Sequence, residues 1–139
     1  IAGEQVRVAT VRDVYLQGLD DAPPLRHRTQ RYRATPASYE LCTKLGQAPR
    51  RQEYRWAAGP SCEGKPIGTV AKVRFEWERG PLKLHIEYAV DCHGVGGWVA
   101  EVEGPQVSVN LFCAHASWVE VTGDSRFSNL ALATKGWPK

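Results

Sequence analysis

Strict alternation of apolar and polar side chains in two neighbouring stretches is the feature that most constrains the fold. The sequence is VRFEWE in residues 73–78 and LKLHIEY in residues 82–88, so every second side chain is apolar. A period of two is typical of half-buried β-strands, whereas an amphipathic helix repeats its apolar residues with a longer period. Both stretches are therefore predicted to be strands with one apolar and one charged face.

The two residues between these stretches predict a hairpin loop at residues 79–80. With such a loop, Trp77 would lie opposite Leu82 on the apolar face. On the other face Glu76 would lie opposite Lys83, an opposite-charge pair that stabilises neighbouring strands. A slip of one residue would set apolar side chains against charged ones, which favours this register.

The rest of the chain repeats the strand pattern with less regularity. Residues 98–103 and 106–111 alternate on either side of a Gly-Pro pair and predict a second hairpin. Residues 36–42 fit a short helical turn and an extended segment equally well. Weaker strands are expected at residues 4–16, 29–34, 52–57, 117–122 and 129–134. Eight or nine short strands predict an all-β fold, an antiparallel β-sandwich or barrel, in a single domain spanning residues 1–139.

The four cysteines bear on the compartment in which the chain folds. Cys42, Cys62, Cys92 and Cys113 form an even set without a CxxC pair, which predicts two disulfides. Extending the second hairpin brings Cys113 beside Cys92, and by elimination Cys42 would bond to Cys62. Disulfides persist in oxidising compartments, so we expect the chain to be secreted or extracytoplasmic. A first residue Ile1 and the absence of methionine agree with a cleaved precursor or a fragment.

The stretch DCHGVGGW joins a metal-capable pair, Cys92 and His93, to a glycine-rich run. Cys113 and His115 would complete a set of two thiolates and two imidazoles, but their spacing is not one that structural zinc sites use. A phosphate-binding loop needs a helix after its glycines, and residues 98–103 predict a strand instead. The stretch is therefore predicted to be a connection between strands, without a metal or a cofactor.

A basic segment, residues 26–55, is the strongest candidate for a binding surface. Seven arginines and one lysine stand against two glutamates, so the segment carries +6 in a chain whose net charge is +3. Arginine binds carboxylates and phosphates through paired donors, although solvated arginines on a strand are the simpler alternative. The candidate binding residues are Arg26, Arg28, Arg31, Arg33, Arg50, Arg51 and Arg55, joined by His93, His115 and Trp118 near one end of the sheet.

The polar face of the first hairpin offers an acid–base set. His85 and Glu87 share this face with Arg74 and Glu76. A histidine and a carboxylate could exchange protons while an arginine stabilises the charge of a reacting phosphate. Charged cross-strand pairs on a solvated face explain the same four residues without any reaction.

The five tryptophans are numerous for a chain of this length. Trp77 and Trp98 fall on apolar strand faces and are predicted to be core residues. Trp118 and Trp137 are the better candidates for exposure. An exposed tryptophan is suited to stacking on a sugar ring or on a side chain of a partner protein.

The leading hypothesis is a secreted, non-enzymatic binding module, an effector, inhibitor or adhesin-like domain that recognises a protein or an anionic glycan. One alternative is a small secreted hydrolase that acts on RNA or glycan through His85 and Glu87. Another is a structural domain cut from a larger extracellular protein. Nucleic acid is not the favoured partner, and no cofactor is expected. No apolar run approaches the roughly 20 residues of a membrane-spanning helix, so no membrane span is expected.

Overall fold

The computed structural model describes residues 5–19, 22–45, 52–114 and 119–139, with the backbone alone at residues 112–114. Within these residues, seven antiparallel strands form one sheet that curls into a half-barrel, in the order β4-β3-β2-β1-β5-β6-β7. The strands are β1 (Arg7–Leu16), β2 (Leu25–Tyr32), β3 (Ser38–Leu45), β4 (Gln52–Ala57), β5 (Pro66–Arg79), β6 (Leu82–Asp91) and β7 (Trp98–Glu103). They are followed by helix α1 (Gln106–Ala114), a 3-10 turn (Ser125–Phe127) and helix α2 (Asn129–Lys135).

The two faces of the sheet differ in how they are covered. The face that we call inner carries Val11, Asp13 and Tyr15 of β1, all buried, and helix α2 packs across it. The outer face carries the alternate residues of β1, of which Thr10 and Arg12 are exposed. Since successive side chains of a strand point to opposite faces, the ladder register assigns every other strand residue to one face or the other.

A small hydrophobic core lies between the inner face and α2. The closest approach is at Gly68 of β5, where a Cβ atom would lie 2.4 Å from the carbonyl oxygen of Ala133. The helix is therefore seated directly on the backbone of the strand. The core consists of Tyr15, Val70, Ala89, Cys92, Leu132 and Ala133, with Leu130 and Trp137 packed at its border.

The first hairpin exists, but its register differs from the predicted one by two residues. The turn lies at Gly80 and Pro81, so that Trp77 pairs with Leu84 rather than with Leu82. Gly80 has a φ of 56°, which glycine adopts without steric cost, and this allows the turn to move one residue along the chain. A shift of two residues keeps every side chain on its predicted face, so the assignment of faces is correct although the pairs are not.

Two segments predicted as strands are helical. Residues 106–111 belong to α1, where the Pro105 carbonyl accepts a helical hydrogen bond over 3.0 Å. Residues 129–134 belong to α2, which the Ser128 side chain caps by accepting a backbone N–H over 3.1 Å. Proline just before a helix and serine at its N-cap are both helix-start signals, and here they outweigh a short alternating pattern.

The other strand predictions have mixed outcomes. The patterns at residues 4–16 and 52–57 correspond to β1 and β4, and that at 29–34 overlaps the end of β2. Of residues 36–42, which fitted a helical turn or an extended segment, residues 38–42 are the start of β3. In the predicted strand at residues 117–122, residues 119–122 are not a strand, and the first two lie outside the described residues. The part of the chain that the structure describes contains one curled antiparallel sheet of seven strands, which confirms the all-β antiparallel class; a second sheet, as in a sandwich, and the predicted eight or nine strands are not confirmed.

The predicted disulfides are not formed at the described cysteines. Cys42, Cys62 and Cys92 are free thiols, and the side chain of Cys113 lies outside the described residues. Cys42 donates to a carboxylate oxygen of Glu53 on the neighbouring strand over 3.3 Å. Cys92 is in the core under α2, and the helical conformation of residues 106–114 removes the hairpin register that brought Cys113 to it.

Candidate functional site

The inner face carries a buried ion pair between the central strand β1 and its neighbour β2. Asp13 is 0% exposed, and Arg28 donates to its two carboxylate oxygens through Nε and Nη2, each over 2.8 Å. Burial by itself raises the pKa of Asp13, but the hydrogen bonds and the charge of Arg28 outweigh burial and hold the pKa below its usual range. Asp13 is therefore a fixed anion in the centre of the sheet.

Glu87 of β6 is a second buried anion, held between two cations of β5. Its carboxylate accepts from Arg74 Nε over 2.7 Å and lies 3.2 Å from Lys72 Nζ. Burial raises the pKa of Glu87, but the charges of Lys72 and Arg74 outweigh it and lower the pKa overall. Burial lowers the pKa of Lys72. The charges of Glu87 and Asp13 raise it and those of Arg74 and Arg28 lower it further, so that the pKa is below its ordinary value overall.

Asn129, the first residue of α2, links the helix to this network. Its amide nitrogen donates to Asp13 Oδ2 over 2.6 Å and to the Tyr15 hydroxyl over 2.8 Å. Asn129 also lines a cavity of about 40 Å³ beside Lys72 and Glu87, and its buried Oδ1 has no hydrogen-bond partner among the described residues. A space of this size suits about one water molecule and is too small for a substrate.

Acid is expected to destabilise the protein through these two carboxylates. The folded-state pKa values of Asp13 and Glu87 lie below the ordinary 3.8 and 4.5. Their contribution is complete above the ordinary values and is lost as the pH falls through the lowered ones. We expect the free energy of unfolding from urea titrations to be level from about pH 7 to about pH 5 and to fall below about pH 4. An Asp13→Asn variant should show a shallower fall, and an equally steep fall would contradict the assignment.

The residues of the predicted acid–base set form two cross-strand pairs on the inner face. Glu76 pairs with His85 and Arg74 pairs with Glu87. The hydroxyl of Tyr32 donates to Glu76 over 2.7 Å, and Glu87 is occupied by its two cations. A carboxyl whose pKa is lowered stays ionised near neutral pH and does not serve as a general acid. The geometry is that of an ion network.

The described arginines of the basic segment differ in their exposure and in their partners. Arg26 is buried and pairs with Glu40 over 3.2 Å, and Arg28 is turned inward to Asp13. Arg55 pairs with Glu53 over 2.9 Å although its side chain is mostly exposed. This pairing of the arginines with carboxylates was not predicted from the sequence. Each carboxylate lies either on a different strand from its arginine or two residues away along the same strand.

The remaining predicted binding residues are scattered. Arg31 and Arg33 are exposed on β2 and in the turn after it. His93 has a φ of 60° and places Nε2 2.7 Å from the carbonyl oxygen of Ala133, so it attaches the glycine-rich turn to α2. Gly97 in this turn packs against Trp137, where a Cβ atom would lie 2.8 Å from the indole ring. The other predicted residues lie outside the described residues: Arg50, Arg51, His115 and Trp118.

The outer face carries a second surface, which was not predicted from the sequence. Trp98, predicted to be a core residue, is 51% exposed, and its ring lies 4.9 Å from that of Tyr88 and 6.1 Å from that of Phe75. Val8 and Val90 extend this surface and are also exposed. We call these five residues the outer aromatic patch. Alternation placed Trp98 and Tyr88 on the apolar face correctly, but it does not indicate which face another element covers.

An apolar groove adjoins the outer aromatic patch. It has a volume of about 270 Å³ and lies across β2, β1, β5 and β6. Val90 belongs to both the patch and the groove, so the two form a continuous surface. The groove is lined by Thr10, Val11, Arg12, Thr29, Ala71, Lys72, Val73 and Val90.

Among the described residues, no group of three or more histidine, cysteine, aspartate or glutamate side chains is arranged to hold a metal ion, and no helix is long and apolar enough to cross a membrane. No protein-family model matches the chain, and the search of curated proteins found no similar sequence. The fold and the site define a curled antiparallel sheet with a charged inner face and an exposed aromatic outer face.

Proposed function

We propose that this chain is a non-enzymatic binding module whose outer aromatic patch docks on a partner protein. The observation that carries the proposal is the half-exposed indole of Trp98 in contact with Tyr88. Large exposed apolar patches on small domains mark interaction sites, and tryptophan and tyrosine supply most hot-spot residues of protein interfaces. An effector, an inhibitor and an adhesin-like module would all use such a surface.

A protein partner is favoured over an anionic glycan by the distribution of charge. An anionic glycan requires several unpaired cations on one surface. Arg26 and Arg28 are instead paired with carboxylates and largely buried, whereas the outer aromatic patch is apolar with Arg12 at the neighbouring groove. An apolar centre with a charge at its rim is the usual composition of a protein interface.

Secretion remains part of the proposal, although free thiols at Cys42, Cys62 and Cys92 remove its main support. Thiol titration of the protein purified from its native source tests it. Two disulfides in that material would restore the oxidising compartment, and free thiols under denaturing conditions would favour a reducing one.

The substitution Trp98→Ala is expected to weaken partner binding by about 2 kcal/mol or more, roughly 30-fold, because truncated hot-spot aromatics lose this much. Wild type and variant are used as parallel baits on extract from the native source, with cross-linking and mass spectrometry to identify the partner. The chain is then immobilised on a surface at low density, and the affinity of the dissolved partner for it is measured. The low density keeps each contact monovalent. Trp56→Ala is the matched control, since Trp56 is 49% exposed on the opposite edge strand.

Three outcomes would overturn this proposal. Equal binding by the wild type and Trp98→Ala would exclude the outer aromatic patch. Salt-dependent binding to a sulfated glycan, lost on replacing Arg31 and Arg33 but kept in Trp98→Ala, would favour the glycan partner. Cleavage of RNA or glycan that is lost in His85→Ala would make the chain an enzyme.

A further inference from the structure

Strand β4 forms one edge of the sheet, and all six of its residues are exposed. The Ala58 N–H donates to the Tyr39 carbonyl over 3.1 Å, and hydrogen-bonded pairs alternate along an antiparallel ladder. The even-numbered residues of β4 therefore bond to β3, and the N–H and C=O groups of Glu53, Arg55 and Ala57 point to the free edge. No described residue pairs with that edge, which can accept another strand.

The charges of β4 select one register for pairing with a second copy of the chain. A two-fold axis perpendicular to the sheet places the inner faces of the two copies on the same side. The inner-face residues of one β4, which include Glu53 and Arg55, therefore lie opposite inner-face residues of the other β4. An axis through Tyr54 sets Glu53 opposite Arg55 in both directions, which gives two opposite-charge pairs at hydrogen-bonded positions. An axis through Glu53 or through Arg55 sets like charges opposite each other.

The edge strand at the other side of the sheet lacks this complementarity. The inner-face residues of β7 include Glu101 and Glu103, which lie beside His85 and Lys83 of β6. Pairing of β7 with a second β7 would set acid against acid in every register that brings these two residues together. Charge therefore favours self-pairing at β4 and opposes it at β7.

We propose that the chain forms a symmetric homodimer by antiparallel pairing of β4 with β4 of a second copy, centred on Tyr54. Tyr54 and Trp56, whose rings stack at 6.4 Å within one copy, lie on the outer side of this junction. Two six-residue strands cover less than the roughly 1,200 Å² of a standard interface, so the dissociation constant is expected in the micromolar range. The dimer displays both outer aromatic patches on the same side of a continuous sheet, which would make a partner contact bivalent.

Charge reversal at either position tests the pairing. In Glu53→Arg or Arg55→Glu alone, both cross-strand pairs become repulsive, and sedimentation equilibrium should show dimerisation at least about tenfold weaker than in wild type. The double variant Glu53→Arg with Arg55→Glu restores both pairs and should dimerise with nearly the wild-type dissociation constant. Glu63→Arg, at an exposed position outside both edge strands, makes the same change of net charge as Glu53→Arg and is the matched control; it should leave dimerisation unchanged.

An equimolar mixture of the two single variants separates pairing between copies from effects within one copy. One variant then presents two cations along β4 and the other presents two anions, so a mixed dimer is expected although neither variant dimerises well alone. Native mass spectrometry resolves the mixed species. Monomeric wild type up to millimolar concentration, dimeric single variants, or no mixed dimer would each overturn the proposal. None of these outcomes depends on the outer aromatic patch, so the proposed function is tested separately.

Discussion

Replacing Asp13 with alanine is expected to lower the free energy of unfolding by about 3–5 kcal/mol, the usual cost of removing one partner of a buried ion pair. The change leaves the Arg28 guanidinium, whose side chain is 15% exposed, without its anion. It also removes the oxygen to which Asn129 donates at the start of α2. Urea denaturation followed by circular dichroism measures the effect.

Two comparisons show whether the cost arises from the unpaired charge. Arg126→Ala removes an exposed ion pair with Asp124, and its unfolding midpoint should match that of wild type because surface pairs contribute little. The double variant Asp13→Leu with Arg28→Met removes both charges and should recover most of the lost stability, since apolar replacement of a buried pair is often neutral. A double variant as unstable as Asp13→Ala would contradict this explanation.

The substitution Gly68→Ala is expected to lower the free energy of unfolding by about 1–3 kcal/mol through overpacking. The new Cβ atom would lie 2.4 Å from the carbonyl oxygen and 2.7 Å from the carbonyl carbon of Ala133. Both are backbone atoms, so α2 has to shift as a unit rather than a side chain rotating away. Hydrogen exchange of the α2 amides should rise together with the loss of stability.

Gly59→Ala is the matched control for this substitution. A Cβ atom at Gly59 meets nothing within 4 Å, and the residue does not have a positive φ. The variant should be as stable as wild type or slightly more stable, because alanine restricts the unfolded chain more than glycine does. Equal stability of the variants at Gly68 and Gly59 would show that α2 is not seated on β5 as described.

Charge counted along the sequence does not show which arginines of the basic segment are paired across the sheet. The basic segment is rich in arginine, but the side chains of two of these arginines, Arg26 and Arg28, are largely buried. Arg28 is neutralised by Asp13, a residue of the neighbouring strand that alternation had not marked as buried. Buried charges are retained when they are paired, so Arg26 and Arg28 are less available to a partner than the exposed Arg31 and Arg33.

The sequence determined the strands β5 to β7 and the faces of their side chains, because a period of two is a local property of the chain. It did not determine which face is covered. That depends on α2, whose residues reach the inner face from the far end of the chain and leave Trp98 exposed on the other side. The pairing of charges was likewise decided by tertiary structure, since contacts such as Asp13 with Arg28 and Asn129 exist only once distant segments are brought together.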